Sequence, residues 1–136
     1  MRKFLVVAIA LLLTGCDDKL EYPNKYPVIE TEVATISKPE VGSGTDINFK
    51  GKVLELGRDY EVIRYGIVFS LFNNNPKLND SDVFIVEAED NTLKKGSYEL
   101  FTHVTRTIGN CYYRAFVETG EVVVYGEVVT SGLLNN

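Results

Sequence analysis

The sequence predicts an all-β domain, a single seven-stranded antiparallel β-sandwich, and three observations carry that expectation. Apolar residues from Val33 onward recur at every second position, the period of a strand with one buried face. No stretch after Cys16 shows the i, i+3, i+4 apolar spacing of an amphipathic helix. Turn-forming clusters of Gly, Asn, Asp and Pro punctuate the chain at intervals of roughly 8 to 15 residues, as in small sandwiches. A small barrel is the competing architecture, and the lack of a long internal repeat excludes a solenoid.

The strands follow in order. Val33 to Ser37 is a short first strand, and Val41-Gly42-Ser43-Gly44 reads as the turn after it. In Asp46 to Leu54, Ile47, Phe49, Gly51 and Val53 share one face while Asn48, Lys50, Lys52 and Leu54 share the other. Ile63, Tyr65, Ile67 and Phe69 form the inner face of a third strand, with Arg64, Gly66 and Val68 opposite. Asn73-Asn74-Asn75-Pro76 ends it, and the segment to Asp82 has the polarity of a mobile or functional loop. Val83 to Glu89 is a fourth strand, Asp90 to Gly96 a turn region, and Ser97 to His103 a fifth strand. Cys111 to Glu118 is the sixth, with Cys111, Tyr113, Ala115 and Val117 turned inward. Thr119-Gly120 is a tight turn, and Glu121 to Thr130 is the seventh strand, its Val122-Val123-Val124-Tyr125 run suited to a covered position.

The N-terminus carries a different kind of signal. Arg2 and Lys3 precede an apolar run from Phe4 to Leu13, too short at about ten residues to span a bilayer, which takes roughly 20. This order of charge, apolar core and small residues is that of a secretion signal. The string Leu13-Thr14-Gly15-Cys16 resembles the lipobox of bacterial lipoproteins. That resemblance implies cleavage between Gly15 and Cys16, a Leu13 side chain read by the peptidase, and a diacylglycerol thioether on Cys16. Residues 1–15 are thus expected to be a signal peptide, 16–27 a lipidated cysteine with its tether, and 28–136 the folded domain. Since each buried methylene contributes about 0.8 kcal/mol, several acyl chains hold such a protein on a membrane without any further element.

Cleavage also removes Arg2 and Lys3, taking the net charge from −5 to about −7. Nucleic acid is not an expected partner, because phosphate backbones require clustered Lys and Arg and the basic residues here are scattered among carboxylates. With the Cys16 sulfur committed to lipid, Cys111 is the remaining thiol, and the core must hold without an intramolecular disulfide.

Three phrases point to a family: Arg64-Tyr65-Gly66-Ile67-Val68-Phe69-Ser70, Cys111-Tyr112-Tyr113-Arg114-Ala115-Phe116 and Tyr125-Gly126-Glu127-Val128. In order and spacing they resemble the third, sixth and seventh strands of a fibronectin type III-like, immunoglobulin-like domain found in surface lipoproteins of Bacteroidota. The resemblance runs from about Val33 to Ser131. It departs at Cys111 and Gly109, where the family has the corner tyrosine and a threonine, so the corner hydrogen bond is not expected.

No catalytic constellation is legible, and the chain is expected to be neither an enzyme nor a cofactor binder. His103 is the sole histidine and lacks partners for acid–base or metal chemistry. Cys111 falls on a core register, where a thiol behaves as a small hydrophobe. Asn79-Asp80-Ser81-Asp82 offers hard oxygens but lacks the spacing and glycine of an EF-hand. Glu87, Glu89 and Asp90 read as a polar strand face in a domain with little room for a glycosidase cleft. The candidate binding face is Tyr112, Arg114 and Phe116, on the register opposite the core, with packing beneath a neighbouring strand or loop as the alternative.

The expected function is a non-catalytic, lipid-anchored module of the cell envelope that presents a protein- or glycan-binding surface, with the membrane as partner through the N-terminal lipid. A periplasm-facing inhibitor or assembly factor for an envelope enzyme or complex is the alternative. Asp17 and Asp18 resemble acidic signals that send Bacteroidota lipoproteins to the outer face of the outer membrane, whereas in other bacteria an aspartate there resembles an inner-membrane retention signal.

Overall fold

The computed structural model describes residues 24–106 and 108–132. The signal peptide, Leu13, Gly15, Cys16, the first part of the expected tether and the Asn135-Asn136 tail lie outside the described residues.

The described chain is all-β and folds into two antiparallel sheets. The strands are β1 (Val28–Ser37), β2 (Thr45–Glu55), β3 (Val62–Ser70), β4 (Phe84–Glu87), β5 (Gly96–Val104), β6 (Asn110–Thr119), β7 (Val123–Tyr125) and β8 (Val129–Gly132). One sheet has the order β1-β2-β5; the other runs β4-β3-β6, with β7 and β8 both on the far edge of β6. Facing inward, Ile47, Phe49 and Val53 of β2 meet Ile67 and Phe69 of β3 and Cys111, Tyr113, Ala115 and Val117 of β6. Phe49 is the hinge of this core, its ring 5.0 Å from Phe69 and 5.1 Å from Tyr113, in the tilted geometry aromatic pairs prefer.

The alternation expected for β2 and the inward set of β6 are as read from the sequence. Two departures in facing share one cause, a bulge that changes the facing of the residues beyond it. The first strand begins at Val28, before the expected Val33, and its register against β2 shifts between Glu32 and Thr35. Ile29 and Thr31 face inward before the shift, Ile36 after it, and Val33 is left 69% exposed. In β3 the register shifts between Val62 and Arg64, which turns Ile63 to solvent and packs Val62 on the core instead.

The expected seventh strand is two strands, giving eight among the described residues. Tyr113 to Phe116 on β6 faces Val129 to Tyr125 on the other side, so three steps oppose four. The break is stabilised from across the sandwich. Gly126 donates its N–H to the Ala115 carbonyl at 2.9 Å, and the Ala115 N–H donates to Thr31 Oγ1, also at 2.9 Å. A side chain at Gly126 would place its Cβ 2.6 Å from Thr31 Oγ1, so the approach of β1 to the break requires glycine there.

Tyr113 performs the same service for the β1 bulge. Its buried hydroxyl accepts the Ala34 N–H at 2.6 Å and hydrogen-bonds Ser131 Oγ at 2.9 Å. One phenol therefore ties β1, β6 and β8 together, a tie formed by Tyr113 and not by the position Cys111 occupies.

The root of the expected tether is part of the folded body. Pro27 is buried, Arg58 donates its N–H to the Lys25 carbonyl at 2.7 Å, and Lys25 Nζ lies 2.9 Å from the Glu121 carboxylate, which also accepts the Tyr26 hydroxyl. These contacts sit where β1 begins, β2 ends and β6 turns into β7.

Candidate functional site

On the outer face of β6 the three residues expected to form a binding face are not equivalent. Phe116 is 0% exposed, while Tyr112 and Arg114 are half-buried. The correction follows from what covers this face. Phe116 pairs with Gly66 on one side and Tyr125 on the other, and the Arg64 guanidinium lies 5.9 Å from its ring centre. Arg64 is held there by Glu118 at 2.5 Å and Glu87 at 3.2 Å. Arg114 stacks 4.5 Å from the centre of the Tyr125 ring and donates to the Gly126 carbonyl at 3.0 Å and to Asn75 Oδ1 at 2.9 Å. Its burial lowers the guanidinium pKa, since desolvation disfavours charge.

The Asn75 contact brings in the loop between β3 and β4. Its polar residues bond to one another in place of a ligand. Buried Ser70 Oγ donates to the Asp82 carbonyl at 2.8 Å and accepts the N–H groups of Phe72 and Asn73. Asn73 Nδ2 donates to Asp80 at 2.8 Å and to Asp82 at 3.1 Å, and Asp80 also accepts the Lys77 N–H. Leu78 donates its N–H to the Tyr125 hydroxyl at 2.9 Å, and Pro76 is fully buried. The loop is thus pinned onto sheet β4-β3-β6. The Asp80 carboxylate caps a turn and that of Asp82 accepts the Asn73 amide, and no group of His, Cys, Asp or Glu suited to a metal ion occurs among the described residues.

A concave site lies elsewhere, on the open side of the sandwich between the edge strands β4 and β5. Near the β4–β5 connection this side is closed: Leu93 packs on the core, and Tyr98 crosses to donate to the Gly66 carbonyl at 3.0 Å with its ring edge-on to Tyr65. At the other end the sheets part. There an open cleft of about 640 Å³ is lined by Phe69, Phe72, Phe84 and Val86 from one side and by Thr102 and Val104 from the other. Phe84 stacks on buried Phe69, centres 5.2 Å apart, yet remains 55% exposed, and Phe72 beside it is 78% exposed. The floor is the apolar core itself, left open where neither edge strand has a further neighbour among the described residues.

The rim supplies polarity. Asp82, His103 and Arg106 line it. His103 Nδ1 is 2.7 Å from Asp46 Oδ1 across the β2–β5 pair. Fully buried Thr45 donates its hydroxyl to the Arg106 carbonyl at 3.1 Å, which fixes the backbone from which that guanidinium projects. Arg106 enters no ion pair among the described residues.

Cys111 is fully buried, and burial pushes its thiol up to about 12, so it stays protonated and unreactive at neutral pH. Glu87 is engaged by Arg64, and Asp90 accepts the Thr92 N–H. Sequence reasoning missed Phe72, Phe84 and Arg106. Phe84 opens a short apolar run that reads as an ordinary strand; only its position on an unpaired edge marks it. Comparison with protein-family models, with characterised proteins and with solved structures found no match to this chain.

Proposed function

We infer that this chain is a non-catalytic, lipid-anchored module of the bacterial cell envelope that binds a partner in the cleft between β4 and β5. The observation that carries the reading is polarity of another kind, that of the domain's two ends. Lys25 and Tyr26, through which the chain leaves toward Cys16, dock at the end holding Glu55, Arg58 and Glu121. The cleft lies at the opposite end, where Thr45 pairs with Val104. The eleven residues of β2 separate the two by roughly 35 Å at about 3.3 Å per residue. An anchor at Cys16 would thus join the domain at the end opposite the cleft, leaving the cleft at the end far from the tether.

A fibronectin type III-like identity accords with the placement of the resembling phrases on β3, on β6 and across the break between β7 and β8, all in one sheet. An acidic Asp17-Asp18 pair supports display on the outer membrane of a Bacteroidota cell. The cleft supports binding because Phe72 and Phe84 keep more than half of their surface exposed beside an apolar floor, and aromatic anchors dominate recognition surfaces.

The test uses the full lipidated chain, wild type against a Phe72→Ser/Phe84→Ser double variant, presented to detergent-solubilised envelope and to a glycan array. A ligand held by wild type and lost by the variant supports the reading; ligands held equally by both overturn it. A mass increment on Cys16 from acylation, and release of the domain from the membrane by Cys16→Ser, are expected in parallel. Protease shaving that spares the domain on intact cells would place it inside the envelope.

A further inference from the structure

The hydrogen-bonding phase of β4 narrows what the cleft can hold. Ala88, just past the strand, donates its N–H to the Tyr65 carbonyl at 2.9 Å. Antiparallel strands alternate the direction of their backbone groups, so Phe84 and Val86 point theirs at β3 as Ala88 does. The N–H and C=O groups of Ile85 and Glu87 then point the other way, into the space beside β4. Nothing among the described residues pairs with them.

Ile85 itself lines the cleft, and Glu87 continues the same free edge just beyond it. Phe84 and Val86 face Thr102 and Val104 across it, as the inward rows of two parted sheets. A chain lying along β4 would satisfy the Ile85 and Glu87 groups and set every second side chain between these rows. About 640 Å³ falls in the range of sites that enclose a ligand, roughly 300 to 1,000 Å³. At the rim, Asp82 is engaged by Asn73 and His103 by Asp46, whereas the Arg106 guanidinium has no carboxylate partner among the described residues. In a chain of net charge −5, this is a local site for one carboxylate.

We propose that the cleft accepts an extended segment of another protein as an added strand on β4, apolar at alternate positions and with one carboxylate set against Arg106. The proposal rests on the reading of the cleft as the binding surface. Free edges are recognition elements of this kind: the main chain supplies affinity, and alternate side chains supply selectivity.

The probes are a seven-residue peptide alternating threonine with phenylalanine or valine and ending in a free carboxylate, the same peptide as a carboxamide, and a panel of oligosaccharides. Each is titrated into the full lipidated chain in detergent micelles and followed by amide NMR and hydrogen exchange. The expected result is exchange at Ile85 and Glu87 slowed about tenfold at saturation, with affinity about tenfold weaker for the carboxamide. Arg106→Gln should abolish the difference between the two peptides. Ile85→Pro, which removes an outward donor but none of the bonds to β3, should abolish peptide binding. If that variant misfolds, the exchange protection in the wild type still decides. Peptide binding without protection at Ile85 and Glu87 overturns strand addition. An oligosaccharide that perturbs the cleft where peptides do not overturns it while sparing the binding-module reading. Silence from every probe overturns both. Protection that appears on raising the protein concentration alone identifies the occupant as a second copy and overturns the commitment to a foreign segment.

Discussion

The two sheets of this domain present outer faces built from similar alternating strands, and they have opposite fates. On sheet β1-β2-β5 the outer rows are polar and wet: Lys50 lies 3.8 Å from Glu99, Ser97 donates to Glu32, and His103 meets Asp46. Even Phe101, on the same register, stands 65% exposed. On sheet β4-β3-β6 the outer row contains Val68 and Phe116, both fully buried beside a loop pinned by Asn75 and Leu78. A strand's outward register therefore does not decide exposure. What lies over it does, here the Arg64 side chain on Phe116 and a loop held by Arg114 and Tyr125 alongside.

That contrast can be broken most severely by truncating one phenylalanine on each face. Phe116→Ala is expected to cost about 3 to 5 kcal/mol, the range for a buried aromatic, and Phe101→Ala under about 0.5 kcal/mol. Equal losses in urea unfolding would mean that the two faces are covered alike. Next in size is Tyr113→Phe, which strips the Ala34 N–H and Ser131 of their partner inside the body and should cost about 1 to 3 kcal/mol.

The loop itself is tested by Asn75→Ala, which removes its bond to Arg114. We expect about 1 kcal/mol of lost stability and faster exchange of the Leu78 amide, with the β2–β5 amides unaffected. On the wet sheet, a Lys50→Gln/Glu99→Gln double-mutant cycle should show a coupling of under about 0.5 kcal/mol that disappears in salt.

The smallest effect concerns the tether root. The hydrogen bond from Tyr26, then that from Lys25, holds the Glu121 carboxyl below its ordinary value of 4.5. A lowered folded-state pKa means the contact is at full strength above the unfolded value and is lost as pH falls through the folded one. Tyr26 ring signals should thus stay in their docked positions at pH 5 and relax only in stronger acid, whereas Glu121→Gln should weaken docking throughout. The wet face should remain unchanged in that variant.

Much of the fold was legible because its signals are local. The β2 set Ile47, Phe49, Gly51 and Val53 faces inward as its alternation demands, and Cys111, Tyr113, Ala115 and Val117 do likewise. Ile63 lies on the other face from the one its alternation predicts, because a bulge shifts phase without leaving a residue type that announces it. Gly126 marked the split of the last strand, yet glycine there also suits a continuous strand; only the proximity of Thr31, far away in sequence, makes the break obligatory. Of the candidate binding face, Tyr112 and Arg114 keep partial exposure while Phe116 does not.

By itself the sequence determined the all-β class, the inward rows of the central strands and the resemblance of Leu13 to Cys16 to a lipobox, since each depends on residues adjacent along the chain. Tertiary structure alone decided the bulges, the covering of Phe116, the docking of Lys25 and Tyr26, and the opening between β4 and β5. The physical reason is common to all four. Whether a side chain or backbone group is satisfied depends on what arrives from distant segments, and a free strand edge is defined by the neighbour it lacks.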